Sequence, residues 1–269
     1  MKRLVFFLFL FAAYTGNAQV LSLYPHPLQQ TQNPFNEKFI SRNKIKSIVA
    51  EISTKRDNDV IRSANRFIVF EYNIKGQLLA EKKFKMNSTD SLGISHDTLT
   101  MAYKYDTEGN LVRKIEYMGK GFVKKLFTYN TAGNLNQITT IKYDYSDPEN
   151  GRVIAKDSIF TLTKKKWVLQ RYFNDYKRPY QEIKIDYDSL GYLIHYRRFY
   201  LISKDQYFID YKYNDHGLIR EIVYSNGQNK NIKKEVYEYD EYGFLNAEFF
   251  YKNDELTERK EFLFKKDGS

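Results

Sequence analysis

Tyr103-Lys104-Tyr105-Asp106-Thr107-Glu108-Gly109-Asn110-Leu111 decides the fold. In an extended chain residues i and i+2 point the same way, so Tyr103 and Tyr105 share a face and Lys104 takes the other. Asp106 opens a type I turn, because its side chain can accept a hydrogen bond from the backbone two residues on. Gly109 supplies the left-handed φ that residues with a Cβ resist. A type I turn followed by such a glycine gives a hairpin with a bulge. Leu111 then starts the return strand and packs across from the aromatic pair.

The same nine positions recur along the chain. They run Phe70 to Leu78 around Tyr72-Asn73, Phe127 to Leu135 around Tyr129-Asn130, and Ile185 to Leu193 around Tyr187-Asp188. They return from Tyr211 to Ile219 around Tyr213-Asn214, and from Tyr237 to Leu245 around Tyr239-Asp240. A degenerate copy spans Arg171 to Pro179, with Phe173-Asn174 in the Tyr-Asn positions, Lys177 in place of glycine and Pro179 in place of leucine. A truncated copy, Phe262 to Gly268, closes the sequence. The turn glycines are therefore Gly76, Gly109, Gly133, Gly191, Gly217, Gly243 and Gly268. Looser polar turns fall between the copies, at Met118 to Gly121, Ser146 to Gly151, Ser203 to Gln206, Ser225 to Asn229 and Lys252 to Glu255. The reading is all-β. About sixteen strands from Ile45 to Lys265, joined by short connections, form an antiparallel meander of repeated hairpins. They make one long twisted sheet that curls on itself. No stretch shows helical periodicity.

Composition agrees. Among the 269 residues are 24 Tyr and 20 Phe but a single Trp, Trp167; tyrosine and phenylalanine suit half-buried pleated surfaces. Three of the five prolines (Pro25, Pro27, Pro34) sit in one N-terminal stretch. Residues 1–18 read as a signal peptide: Lys2 and Arg3 are the positive region, Leu4 to Ala13 the apolar run, and Gly16-Asn17-Ala18 the small residues before cleavage at Gln19. Residues 19–44 read as an extended lead-in and 45–269 as the β domain. The expected location is exported: periplasm, cell surface or exterior. No later apolar run is long enough for a membrane span. With no cysteine there is no disulfide and no lipid-bearing residue after the signal, so core and ladders must hold the fold. The formal charge of +10 falls by two, to +8, once Lys2 and Arg3 are removed. Acids interleave with the bases along most of the chain, so no nucleic-acid site is expected.

The repeat resembles the YD repeat of Rhs-type proteins, whose signature is Tyr-Asp, two residues, Gly, any, Leu. The resemblance covers the chain from about Phe67 onward. In large members it implies a curved hairpin sheet that spirals into a shell around a toxin. This chain is too short for a shell, its copies are irregularly spaced, and no toxin module follows. It looks like small exported relatives with a few such repeats, which implies a non-enzymatic binding or scaffold role, with glycans or another envelope protein as partner.

Chemistry-bearing residues give few other leads. His26, His96, His195 and His216 lack metal-ligand spacing, and no phosphate loop, dinucleotide fingerprint or nucleophile motif is present, so no metal or cofactor is expected. Asp106, Asp188 and Asp240 are explained as turn openers, and Asp144 to Gly151 as an acidic turn. Two classes compete with a binding module. A hydrolase would need two carboxylates that converge only in the fold. An outer-membrane barrel would need a continuously apolar face, which Arg113 on one side of Leu111 to Tyr117 and Lys114 and Glu116 on the other argue against. The aromatic surplus either covers the sheet or offers ring faces to sugars. The expected ligand-binding group is Trp167, Arg171, Tyr172, Tyr176 and Tyr180, where the repeat degenerates beside Lys164 to Lys166.

Overall fold

The computed structural model describes residues 33–54, 60, 62–85, 98–228, 231–241, 243 and 245–261. The expected signal peptide, the first part of the lead-in, Gly268 and the truncated last copy lie outside the described residues. One helix, α1 (Glu37–Arg42), precedes the strands. The strands begin β1 (Ser47–Thr54), β2 (Arg62–Tyr72), β3 (Leu78–Lys85), β4 (Thr98–Tyr105), β5 (Leu111–Met118) and β6 (Gly121–Tyr129). They continue β7 (Leu135–Asp144), β8 (Asp147–Lys164), β9 (Trp167–Phe173), β10 (Pro179–Tyr187) and β11 (Leu193–Tyr200). They end β12 (Gln206–Tyr213), β13 (Ile219–Asn226), β14 (Asn231–Tyr239), β15 (Leu245–Lys252) and β16 (Glu255–Glu261). All sixteen lie in one sheet in sequence order, each pairing antiparallel with the next. The sheet is open: β1 pairs only with β2, and β16 only with β15.

The turns form as their chemistry dictates. In the first copy Asn73 Oδ1 accepts from the backbone N–H of Lys75 at 2.9 Å and of Gln77 at 3.0 Å, while Gly76 N–H donates to the Asn73 carbonyl at 3.0 Å. Asn130, Asp188 and Asn214 repeat the pattern, each accepting from two backbone N–H groups at 2.8–3.0 Å. The six described turn glycines have φ from 74 to 95°. Each repeat tyrosine pairs across the turn with its leucine or isoleucine, as Tyr105 does with Leu111, behind a one-residue bulge. The degenerate copy keeps this geometry. Asn174 accepts from Tyr176 and Arg178 at 3.1 and 3.0 Å, and Lys177 holds the glycine position at φ 57°. The motif has drifted there while the turn has not, so a left-handed lysine carries strain of about 1 kcal/mol.

Between copies the backbone ladders stop short, and the repeat tyrosine completes them. The β5–β6 ladder ends at Arg113↔Leu126, which leaves the Leu111 carbonyl beyond its end. The Tyr129 hydroxyl donates to that carbonyl at 2.9 Å. Tyr105 does the same to Leu78 at 2.9 Å, Tyr213 to Leu193 at 2.7 Å, and Tyr239 to Ile219 at 2.7 Å. A carbonyl in the core is costly to leave without a donor. In these four copies the tyrosine thus satisfies the unit before it.

The lead-in is a correction: its described end is not extended but carries α1. Asn36 caps the helix, its Oδ1 accepting from Lys38 N–H at 3.0 Å and Phe39 N–H at 3.3 Å. Phe35 and Ile40 occupy the N′ and N4 positions of a hydrophobic staple. Ile40 is fully buried, and the Phe35 ring meets Phe70 edge-on at 5.2 Å. The helix lies on the first repeat turn, where Ser41 Oγ donates to the Ile74 carbonyl at 2.8 Å. Later turns lie beside their predecessors in the same way. Gln77 Nε2 reaches the Gly109 carbonyl at 2.9 Å, and Tyr192 crowds Gly217. α1 therefore caps the array, as terminal units do in other repeat folds.

A second correction concerns residues 146–151. The turn is shorter than expected and β8 already begins at Asp147, running for 18 residues. Its first part, to Ser158, pairs with β7, and its second, from Ser158, with β9. One strand thus passes the array from one register to another.

The repeat aromatics line one face, the core face. Phe70, Tyr72, Tyr103, Leu111, Phe127, Ile138, Ile159, Tyr172, Ile183, Ile185, Tyr196, Tyr211, Ile222 and Tyr237 form a single buried cluster across it. The outer face carries cross-strand ion pairs such as Lys212–Glu221 at 2.7 Å and Lys82–Glu71 at 2.6 Å.

Candidate functional site

The strands divide the five residues expected to bind a ligand. On β9 odd and even positions alternate, so Trp167 and Arg171 lie on the outer face and Tyr172 on the core face. Trp167 stands opposite Asp186, with the Lys184 ammonium 5.8 Å from its ring centre. Arg171 stands opposite Glu182 and is ion-paired to it. Tyr176 is at the turn tip, 83% exposed. Tyr172 and Tyr180 meet edge-on on the core face, ring centres 6.3 Å apart. The structure brings together only this last pair.

What gathers around that pair is a patch of phenols on one arginine. Tyr196, Arg198 and Tyr200 alternate along β11 and so share the core face. Arg198 Nε donates to Tyr196 Oη at 2.8 Å and Nη1 to Tyr200 Oη at 3.3 Å. Arg198 stands between Ile183 on β10 and Tyr207 on β12. Tyr196 is buried, while Arg198, Tyr180, Tyr200 and Tyr207 are half-exposed. Burial pushes the Tyr172 phenol up to about 12. Asp157 borders the patch: burial raises its carboxyl and the Tyr180 hydroxyl, hydrogen-bonded to it, pulls it back. The signal for this patch was the spacing Tyr196-x-Arg198-x-Tyr200, which puts three polar tips on one side of a strand.

Two further groupings matter. On the outer face Phe122 stacks on Tyr143 with ring centres 4.6 Å apart, flanked by Tyr117 at 5.9 Å and Tyr145 at 6.3 Å. Gly151 leaves room for the Tyr143 ring, since a Cβ there would sit 2.3 Å from it. On the core face Glu235 accepts from Tyr237 Oη at 2.6 Å and Tyr224 Oη at 3.1 Å and pairs with Lys233. Nearby Glu248 is raised by burial, and a Tyr237 hydrogen bond lowers it again. Among the described residues the histidine–carboxylate contact, His195 Nδ1 to Asp210 at 2.6 Å, joins residues directly opposite on β11 and β12, both about two-fifths exposed or more (40% and 45%). Among the described residues no three His, Asp or Glu gather as metal ligands.

No family model and no curated protein matches the chain. Among solved structures, it is similar to a porin-like protein from Bacteroides uniformis at 12% identity, over 79% of this chain and 92% of that one, with a TM-score of 0.44. A porin-like protein from Bacteroides vulgatus follows at 12% identity, over 66% and 95%, with a TM-score of 0.35. The Tc holotoxin pore of Photorhabdus luminescens is similar at 9% identity over 78% of this chain, which spans 15% of the toxin chain, with a TM-score of 0.23. At such overlap these likenesses carry no functional argument.

Proposed function

We propose that the chain is an exported, non-enzymatic β-repeat module that binds or scaffolds at the cell envelope or exterior, in the manner of small YD-repeat relatives, with carbohydrate as its ligand class. One observation carries the reading: the repeat uses most of its reactive side chains on itself. The Asn and Asp of the motif accept backbone N–H groups, the second tyrosine of four copies completes the previous ladder, and outer-face carboxylates pair with neighbouring lysines and arginines. The groups left over are aromatic. The outer ladder of Tyr117, Phe122, Tyr143 and Tyr145 and the core-face phenols around Tyr180, Tyr200 and Tyr207 offer apolar ring faces with polar rims, which suit sugar rings.

The test is a glycan-array screen of the secreted protein, run beside generic glycosidase substrates. Retention of glycans without turnover supports the module. Turnover would replace it with the hydrolase reading, and Glu235 and Glu248 are then the first residues to substitute, being the two interacting core-face carboxylates. Absence of retention on every glycan would remove the carbohydrate part of the reading. Recovery of the mature chain only with detergent would revive the membrane alternative.

A further inference from the structure

Arg198 has no stabilising partner of the usual kind. Its two hydrogen bonds among the described residues go to phenol oxygens, Tyr196 Oη and Tyr200 Oη, and its charge lies 5.5 Å from the centre of the Tyr196 ring. No carboxylate pairs with it among the described residues, whereas on the same face Lys233 takes Glu235 and Lys83 takes Glu81. The two acids bordering the phenol patch are engaged elsewhere, Asp157 with Tyr180, and Glu235 with Lys233, Tyr224 and Tyr237. A half-buried guanidinium without a carboxylate costs stability. Of its five N–H groups two are used, and the phenols that hold Nε and Nη1 leave Nη2 without a protein acceptor among the described residues.

We infer that Arg198 receives the carboxylate of an acidic sugar, a uronic-acid unit, on the core face between β10 and β12. This rests on the carbohydrate reading above and adds the charge of the ligand and the residue that selects it. Guanidinium and carboxylate match in planar geometry, and the pair is strongest where water is partly excluded. The walls fit a sugar ring: Tyr180 and Tyr200 lie on one side and Tyr207, packed on Tyr224 with ring centres 6.3 Å apart, on the other. One negative charge fits better than two, because Arg198 is the single cation acting on Tyr172, Tyr196 and Tyr207, and Asp157 and Glu235 lie close by. A phosphate dianion draws several cations to it.

Calorimetric titration of the full mature chain with a uronic-acid oligosaccharide, the neutral oligosaccharide of equal length, and inorganic phosphate tests the assignment. The expected result is tighter binding of the uronate than of the neutral sugar by on the order of tenfold. In Arg198→Met that preference disappears while neutral-sugar binding stays, and Arg198→Lys recovers only part of it. If Arg198→Met does not fold, the parent decides: bound uronate protects Arg198 from phenylglyoxal, as read by peptide mass, and the neutral sugar does not. Equal binding of acidic and neutral sugars, or a preference that survives in Arg198→Met, overturns the assignment and leaves the carbohydrate reading standing. Phosphate that displaces the uronate at matched concentration overturns the choice of ligand class. Binding of neither sugar overturns both readings.

Discussion

At Tyr129 a single hydroxyl sits 2.9 Å from the Leu111 carbonyl, past the last backbone pair between β5 and β6. Removing it leaves a buried acceptor with no donor, which costs about 1–3 kcal/mol. Tyr129→Phe is therefore expected to lower the urea midpoint clearly, while Tyr176→Phe, at a turn tip 83% exposed, leaves it unchanged. Equal melts for the two would remove the hydroxyl from the account of stability. The same phenols set a pH dependence. Burial raises Tyr103, Tyr172 and Tyr213 from 10.0 to about 12. Tyr105, Tyr129 and Tyr239 are raised for the same first reason. Above the unfolded value of about 10 the unfolded chain releases protons that the folded chain keeps, so alkali favours unfolding. Stability from these groups is complete below about pH 10 and is lost as pH rises through about 12. Denaturant midpoints should hold steady up to about pH 9 and fall steeply beyond about pH 10; a flat profile to about pH 11 would mean the phenols ionise freely in the fold.

Elements meet through their ends. A Cβ on Gly76 would lie 2.0 Å from the Glu37 carbonyl oxygen of α1, whereas one on Gly133 meets nothing within 4 Å. Both glycines have left-handed φ, 80 and 76°, so alanine strains the backbone at each by about 1 kcal/mol. The difference between Gly76→Ala and Gly133→Ala isolates the docking of α1. Gly76→Ala is expected to be the more destabilising, by a further ~1 kcal/mol or more, because backbone must move. Matching losses would mean that α1 contributes nothing to the cap. These elements were unequally legible in the sequence. The hairpins were readable because their cause is local: Asn130 and Gly133 build their turn with only Thr131 and Ala132 between them. α1 was not, since Glu37 to Arg42 is less than two turns and shows no period; only Asn36 with Phe35 and Ile40 marked it. The tyrosine-to-carbonyl bonds depend on where a ladder ends, which no single repeat reveals. For the site, the alternation of β9 already separates Arg171 from Tyr172, so grouping Trp167 with Tyr180 by nearness in sequence ignored the pleat. Arg198 went unseen because its meaning lies in what does not pair with it.

For the molecule as a whole, each described strand pairs only with its sequence neighbours, and the sheet of described strands has two ends. Such an array behaves as a chain of nearest-neighbour contacts, in which end units open more readily than central ones. The two ends differ. The N-terminal end is covered at its first turn by α1, with Ile40 fully buried beneath it. At the other end β16 is exposed along its whole length, and its Glu255, Glu258, Arg259, Lys260 and Glu261 place charge on an edge that would otherwise template another strand. In the middle, β10 is paired on both sides and contributes Ile183 and Ile185 to the core. Hydrogen exchange should therefore show amides of Glu255–Glu261 exchanging faster than those of Pro179–Tyr187 by about two orders of magnitude, since each 1.4 kcal/mol of opening free energy is a factor of about ten. A closed barrel has no such gradient, because every strand is paired twice. Protection of β16 equal to that of β10 would mean that the edge is covered in solution, by closure of the sheet, by a second copy or by another strand, and the open array would have to be given up.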